Sequence, residues 1–171
     1  MANPKSAYSV STKKEKSDTH IIVVWVDNEA GVLARGVGLF SGRGYNIESL
    51  AVAEVDAKRN ISRITIVTTG TPQVIDQIKL QLKKLVPVHK VGNLKREDKN
   101  VIFKELALFK VVGNLAKIKK ALNTCKNFNP VILDQTKKSA VIQITALRRE
   151  VDKMAKNLKS HGLISVSRTG A

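Results

Sequence analysis

At 171 residues, 43% of them hydrophobic, the chain can form one ordinary domain or two small ones that must cover each other or a partner. No apolar run approaches the roughly 20 residues of a membrane span, and the opening MANPKSAYSVSTKKEKSDTH lacks the apolar core of a secretory signal, so a soluble cytoplasmic protein is expected. The formal net charge of +16 and the single cysteine, Cys125, leave nucleic acid to be weighed as a partner and exclude an internal disulfide.

Residues 1–19 are polar and without pattern, and are expected to form a flexible basic tail. His20–Val26 (HIIVVWV) reads as a buried strand, with Asp27 and Asn28 standing where helix caps stand. A helix is then predicted from about Gly31, because Val32, Leu33, Gly36, Val37 and Phe40 recur at helical spacing, and Gly42 and Gly44 suit its stop. Inside it Gly36 and Gly38 each cost about 1 kcal/mol against alanine, which points to close approach of another backbone or a ligand. The start of this helix offers unpaired N–H groups and the positive dipole end, a setting for a small anion such as an amino acid's α-carboxylate. An ordinary capped helix start after a strand would read the same way.

Tyr45–Val55 and Ile61–Thr69 (ISRITIVTT) are predicted strands, and Thr71 caps a helix with Pro72 at its first position. That helix carries Ile75, Ile78, Leu82 and Leu85 on one face and stops before Pro87, after which Val88–Leu94 gives a fourth strand. A polar linker follows at 96–100, and the pattern restarts: strand Lys104–Val112, a helix over about Leu115–Cys125, strands Val131–Thr136 and Ala140–Leu147. A helix striped by Val151, Met154, Ala155 and Leu158, ended by His161 and Gly162, leads to a last strand, Leu163–Arg168. The order βαββαβ thus occurs twice, in domains at 20–95 and 101–171, giving an α+β fold of two ferredoxin-like domains in tandem. Such a unit leaves one sheet face bare. Because the first strand is apolar on both sides, with Ile22, Val24 and Val26 opposite Ile21, Val23 and Trp25, self-association or domain stacking is expected to cover it.

Charge is uneven: residues 20–97 carry eleven positive and seven negative side chains, and residues 98–171 fifteen and five. The lysines of the second half fall mainly at exposed helical positions such as Lys117, Lys120, Lys153 and Lys156, as on a solvated face. RNA-binding domains of βαββαβ order stack bases on strand aromatics, which Ile61–Thr69 lacks, so nucleic acid is not the expected partner. His20, His89 and His161 are not in metal-ligand spacing, no phosphate-loop or dinucleotide fingerprint is complete, and Cys125 lies on the apolar stripe Leu115, Ile118, Leu122. No catalytic or metal residue is assigned.

DNEAGVLARGVGLFSGRGYNIESLAVA, ISRITIVTTG, QIKLQLKKLVPVHKV, KELALFKV and the terminal SRTG together resemble the small regulatory subunit of acetolactate synthase (acetohydroxyacid synthase), whose first domain is an ACT domain. Asp27 and Ala30 depart from the Glu-type acid and the proline usual there. The resemblance implies an ACT domain followed by an ACT-like C-terminal domain, a homodimer through the ACT domains, and valine or another branched-chain amino acid bound between protomers. By matching position, Asn28, Gly31, Val32 and Leu33 would receive the ligand's carboxylate and amino groups, with Asn46 and Ile47 supplied by the other chain. It further implies a non-catalytic role: activation of a catalytic large subunit that carries thiamine diphosphate, magnesium and FAD, with none of these on this chain. The alternative is an ACT-domain sensor that regulates another enzyme or a transcription factor.

Overall fold

A computed structural model describes residues 17–95, with Lys95 as backbone only, and 101–170. The linker at 96–100 and most of the basic tail lie outside the described residues.

The first half is β1 (Asp18–Asp27), α1 (Val32–Ser41), β2 (Ser49–Asp56), β3 (Ile61–Gly70), α2 (Pro72–Lys83) and β4 (Val88–Lys95). The second is β5 (Glu105–Val112), α3 (Leu115–Cys125), β6 (Val131–Gln135), β7 (Ser139–Ala146), α4 (Arg148–Lys159) and β8 (Leu163–Arg168). Each half folds as an antiparallel four-stranded sheet, in the orders β2-β3-β1-β4 and β6-β7-β5-β8. These are tandem ferredoxin-like βαββαβ domains. β1 begins at Asp18, so the strand takes in two residues assigned to the tail: Asp18 and Thr19 stay in register with Gly70 and Thr69, and the two threonine hydroxyls meet at 3.1 Å.

Helix starts follow their side chains where one is in place. Thr71 Oγ1 accepts from the Val74 N–H and Pro72 fills the first position, while Asn114 Oδ1 accepts from the Lys117 N–H at 3.0 Å. Gly162 is required where α4 turns into β8: its φ is +88°, and a Cβ there would run into the Val112 carbonyl. The Gly162 carbonyl accepts from the Val112 N–H at 2.8 Å, so the turn approaches β5 backbone to backbone.

Each domain has its own core. In the first, Ile22, Val24 and Val26 of β1 meet Phe40 of α1 and Ile75, Ile78 and Leu82 of α2. In the second, Phe109, Ile142 and Ile144 meet Ile118 of α3 and Val151 and Leu158 of α4. Cys125 is fully buried there with its Sγ 3.6 Å from Met154 Sδ, and burial raises its thiol to about 11, which keeps it protonated and inert at neutral pH.

The opposite face of the first sheet is covered in part. Ile21, Val23 and Val67 are buried there, packed by Trp25 and Leu94 from the sheet and by Phe103 from the stretch between the domains. Lys90 Nζ lies 5.3 Å over the Trp25 ring. Phe103, two residues ahead of β5, therefore supplies some of the cover that the two-sided apolar pattern of β1 requires. Among the described residues no helix is long and apolar enough to cross a membrane.

Candidate functional site

The segment between β1 and α1 is fixed at its start by contacts from distant parts of the first domain. Asp27 Oδ1 lies 2.6 Å from His89 Nε2 on β4, and its N–H donates to the Pro87 carbonyl at 2.9 Å. Asn28 is held by the β2–β3 turn: its N–H donates to the Asn60 carbonyl at 2.7 Å and its Oδ1 accepts from Ser62 Oγ at 3.0 Å. Neither side chain caps α1, contrary to the sequence expectation, because both are engaged across the sheet.

Gly31 takes the N-cap position in the left-handed region at φ +82°, and no side chain caps this helix. A residue with a Cβ would be strained there by about 1–2 kcal/mol. The Val32 N–H turns back to the Glu29 carbonyl over a long 3.4 Å, and the rest of the first turn presents its N–H groups and the positive dipole end outward, over a glycine surface. Val32 points into the core and is 5% exposed, while Leu33 is 41% exposed at the rim. Beneath α1 the hollow lined in part by Val32, Leu33, Gly36 and Val37 holds only about 10 Å³, room for no more than a water. Among the described residues, this hollow does not enclose an amino acid.

Asn46 and Ile47 lie beyond the other end of α1. That helix has ten residues, so its ends are about 15 Å apart, and the fold does not bring Asn46 to Gly31 within one chain. The stretch before β2 is shaped by Phe40 and Tyr45, whose rings meet edge-on at 6.1 Å, and by the Tyr45 N–H donating to the Phe40 carbonyl. The Asn46 carbonyl accepts from the hydroxyl of Thr68, a buried β3 residue, at 2.7 Å. Its side chain is exposed, with no partner among the described residues, and Ile47 packs against the first core. Thr68, Ser62, Asn60 and His89 therefore hold the candidate residues in place, and sequence reasoning assigned none of them. A β-branched or polar residue in a strand carries no mark of such a contact.

A Cβ added at Gly36 or Gly38 would meet nothing within 4 Å, so among the described residues no backbone of another element crowds either glycine on its Cβ side. Gly36→Ala is expected to stabilise the first domain by about 1 kcal/mol, a rise of roughly 4–8 °C in its Tm by thermal unfolding. An unchanged or lower Tm would instead show that the added methyl does not fit the hollow beneath α1, which Gly36 lines.

Comparison with known proteins covers both domains. Residues 22–90 match the family model described as the AHAS small subunit-like ACT domain, and residues 104–171 that described as the small subunit of acetolactate synthase. The chain is 36% identical over 151 residues to the acetolactate synthase small subunit of Buchnera aphidicola subsp. Baizongia pistaciae, covering 88% of this chain and 93% of that one. It is 40% identical over 157 residues to the acetolactate synthase small subunit of Haemophilus influenzae, covering 86% and 94%. The crystal structure of the acetolactate synthase small subunit from Thermotoga maritima superposes with a TM-score of 0.81 at 31% identity, over 89% of this chain and 93% of that one.

Proposed function

Because this chain belongs to the family of acetolactate synthase small subunits, we propose that it serves branched-chain amino acid biosynthesis as the non-catalytic subunit that activates a catalytic large subunit and confers feedback inhibition by valine. It acts in the cytoplasm as a homodimer through its ACT domains. Valine binds where two protomers meet, its carboxylate and amino groups against Asn28, Gly31, Val32 and Leu33 of one chain, with Asn46 and Ile47 of the other. Thiamine diphosphate, magnesium and FAD belong to the large subunit.

The observation that supports this reading is the α1 start. It lies inside the matched ACT region, is uncapped, and has a glycine at φ +82° where a carboxylate would sit. Separation of the two residue groups by the length of α1 agrees with a site shared between chains.

Inhibition follows as a population shift. The valine-free dimer favours the active arrangement of the large subunit, and valine binds better to another arrangement of the ACT pair. With the active arrangement favoured about tenfold before valine binds, a tenfold loss of activity at saturation requires about a hundredfold difference in affinity, about 2.8 kcal/mol, within the range of one hydrogen bond to a charged group.

Titration calorimetry of the purified chain with valine, leucine and isoleucine, with its mass by light scattering, tests this. The expected result is saturable valine binding by a dimer. A folded dimer that takes up none of the three would remove the effector role, and a monomer without affinity would remove the shared site as well. Activation is read separately, by adding the chain to a purified thiamine-dependent large subunit.

A further inference from the structure

The segment that carries Asn46 is held from both sides. On the first domain's side the Asn46 carbonyl accepts from Thr68, the Glu48 N–H donates to the Val67 carbonyl at 2.8 Å, and the Thr69 hydroxyl donates to the Glu48 carboxylate. On the other side the same carboxylate meets the second domain: Glu48 Oε2 lies 3.6 Å from Arg148 Nη1, the two side chains being 26% and 33% exposed. One residue further on, Ser49 is approached so closely by Gly170 that a Cβ there would run into its hydroxyl.

Arg148 is the first residue of α4, and that helix is anchored in the second domain. One turn later Asp152 Oδ1 accepts from Arg168 Nη1 at 2.7 Å, and the same guanidinium pairs with the buried Glu105 at the start of β5. A polar chain thus runs from the Asn46 segment through Glu48 and Arg148 into α4, and through Asp152 and Arg168 to β5.

Among the described residues the seam around this pair is not filled. A cavity of about 170 Å³ lies on one side, between Thr19, Ile21, Val67 and Phe103 and the start of α4. A second, of about 280 Å³, lies between Leu50, Glu105 and Thr169. Closely packed contacts resist displacement, whereas a contact bridged across open space can lengthen without loss of packing. We propose that Arg148 is a positioning residue for the effector site: its ion pair with Glu48 sets the placement of the Asn46 segment and passes a change in that placement to the second domain. The proposal deepens the effector reading above and rests on it for the identity of the ligand. It does not rest on it for the mechanical link.

The test uses the full chain alone and in complex with its large subunit, with Arg148→Ala, Arg148→Lys, and the charge exchange Glu48→Arg with Arg148→Glu. Hydrogen–deuterium exchange reads residues 45–50 without any ligand, and inhibition assays give the valine concentration for half inhibition. A partly exposed pair supports changes of about three- to fivefold. Arg148→Ala is expected to speed exchange at 45–50 and to raise the half-inhibiting concentration by that factor. Arg148→Lys should fall between, and the charge exchange should return both towards the parent. Unchanged exchange in Arg148→Ala, or an Arg148→Lys that loosens 45–50 as far as Arg148→Ala does, would overturn the proposal. If the parent binds no branched-chain amino acid but Arg148→Ala still loosens 45–50, the effector reading fails and the link between the domains stands.

Discussion

Asn46→Ala is expected to weaken valine binding by ten- to a hundredfold and to remove feedback inhibition while the valine-free activation is retained. The factor corresponds to one hydrogen bond between a neutral side chain and a charged ligand group, about 1.5–3 kcal/mol. Few substitutions here separate binding from folding so cleanly. The Asn46 side chain is exposed and has no partner among the described residues, and the contact that orders this point of the chain, from Thr68 to the Asn46 carbonyl, survives in alanine. The change in stability should stay within about 0.5 kcal/mol, as for surface substitutions generally. Titration calorimetry gives the affinity, and inhibition curves of the reconstituted complex give the regulation. If valine sensitivity matched the parent in both, Asn46 would not belong to the site.

The parts of the fold that could be read from sequence are those set by neighbours along the chain. Thr71 followed by Pro72, the Leu115–Cys125 stripe and the run from Leu163 to Arg168 gave element bounds that the structure keeps, because cap chemistry and periodicity act over a few residues. Failures came where a distant partner decided the outcome. Asp27 and Asn28 looked like caps, but His89 and Ser62 engage them across the sheet, 62 and 34 positions away. Tyr45 looked like the start of a strand, yet the strand begins at Ser49, because Tyr45 turns back onto Phe40 and the Asn46 carbonyl is taken by a side chain rather than by the ladder. As for the candidate site, its glycine-rich helix start was legible, and Gly31 adopts the left-handed conformation that only glycine takes without strain. The link from Glu48 to Arg148 was not, since it spans one hundred positions and nothing local marks either residue.

The terminal SRTG shows how a stretch that served only as a family mark acquires a physical role. Thr169 closes a reciprocal pair with Leu106, its N–H donating to the Leu106 carbonyl at 3.1 Å and its Oγ1 accepting from the Leu106 N–H at 3.2 Å. Arg168 holds Glu105, whose side chain is 3% exposed, and Asp152. Burial alone would lower the Arg168 guanidinium, but the hydrogen bonds to Glu105 and Asp152 outweigh it and raise it further, so the charge is permanent. Arg168→Met would leave the Glu105 carboxylate buried without its counter-ion. Breaking a buried pair by removing one partner costs about 3–5 kcal/mol, and since water can reach Arg168, which is 30% exposed, the lower end, about 3 kcal/mol, is expected. That is a large share of the stability of so small a domain. Urea unfolding should show a lower midpoint for the second domain, while the first, with a separate core, keeps its own. Adding Glu105→Gln removes the stranded charge and should recover more than half of the loss, since replacing both partners avoids the unpaired state. If Arg168→Met unfolded like the parent, the pair would contribute nothing to stability, and Thr169 with Leu106 would be left to hold β8 against β5.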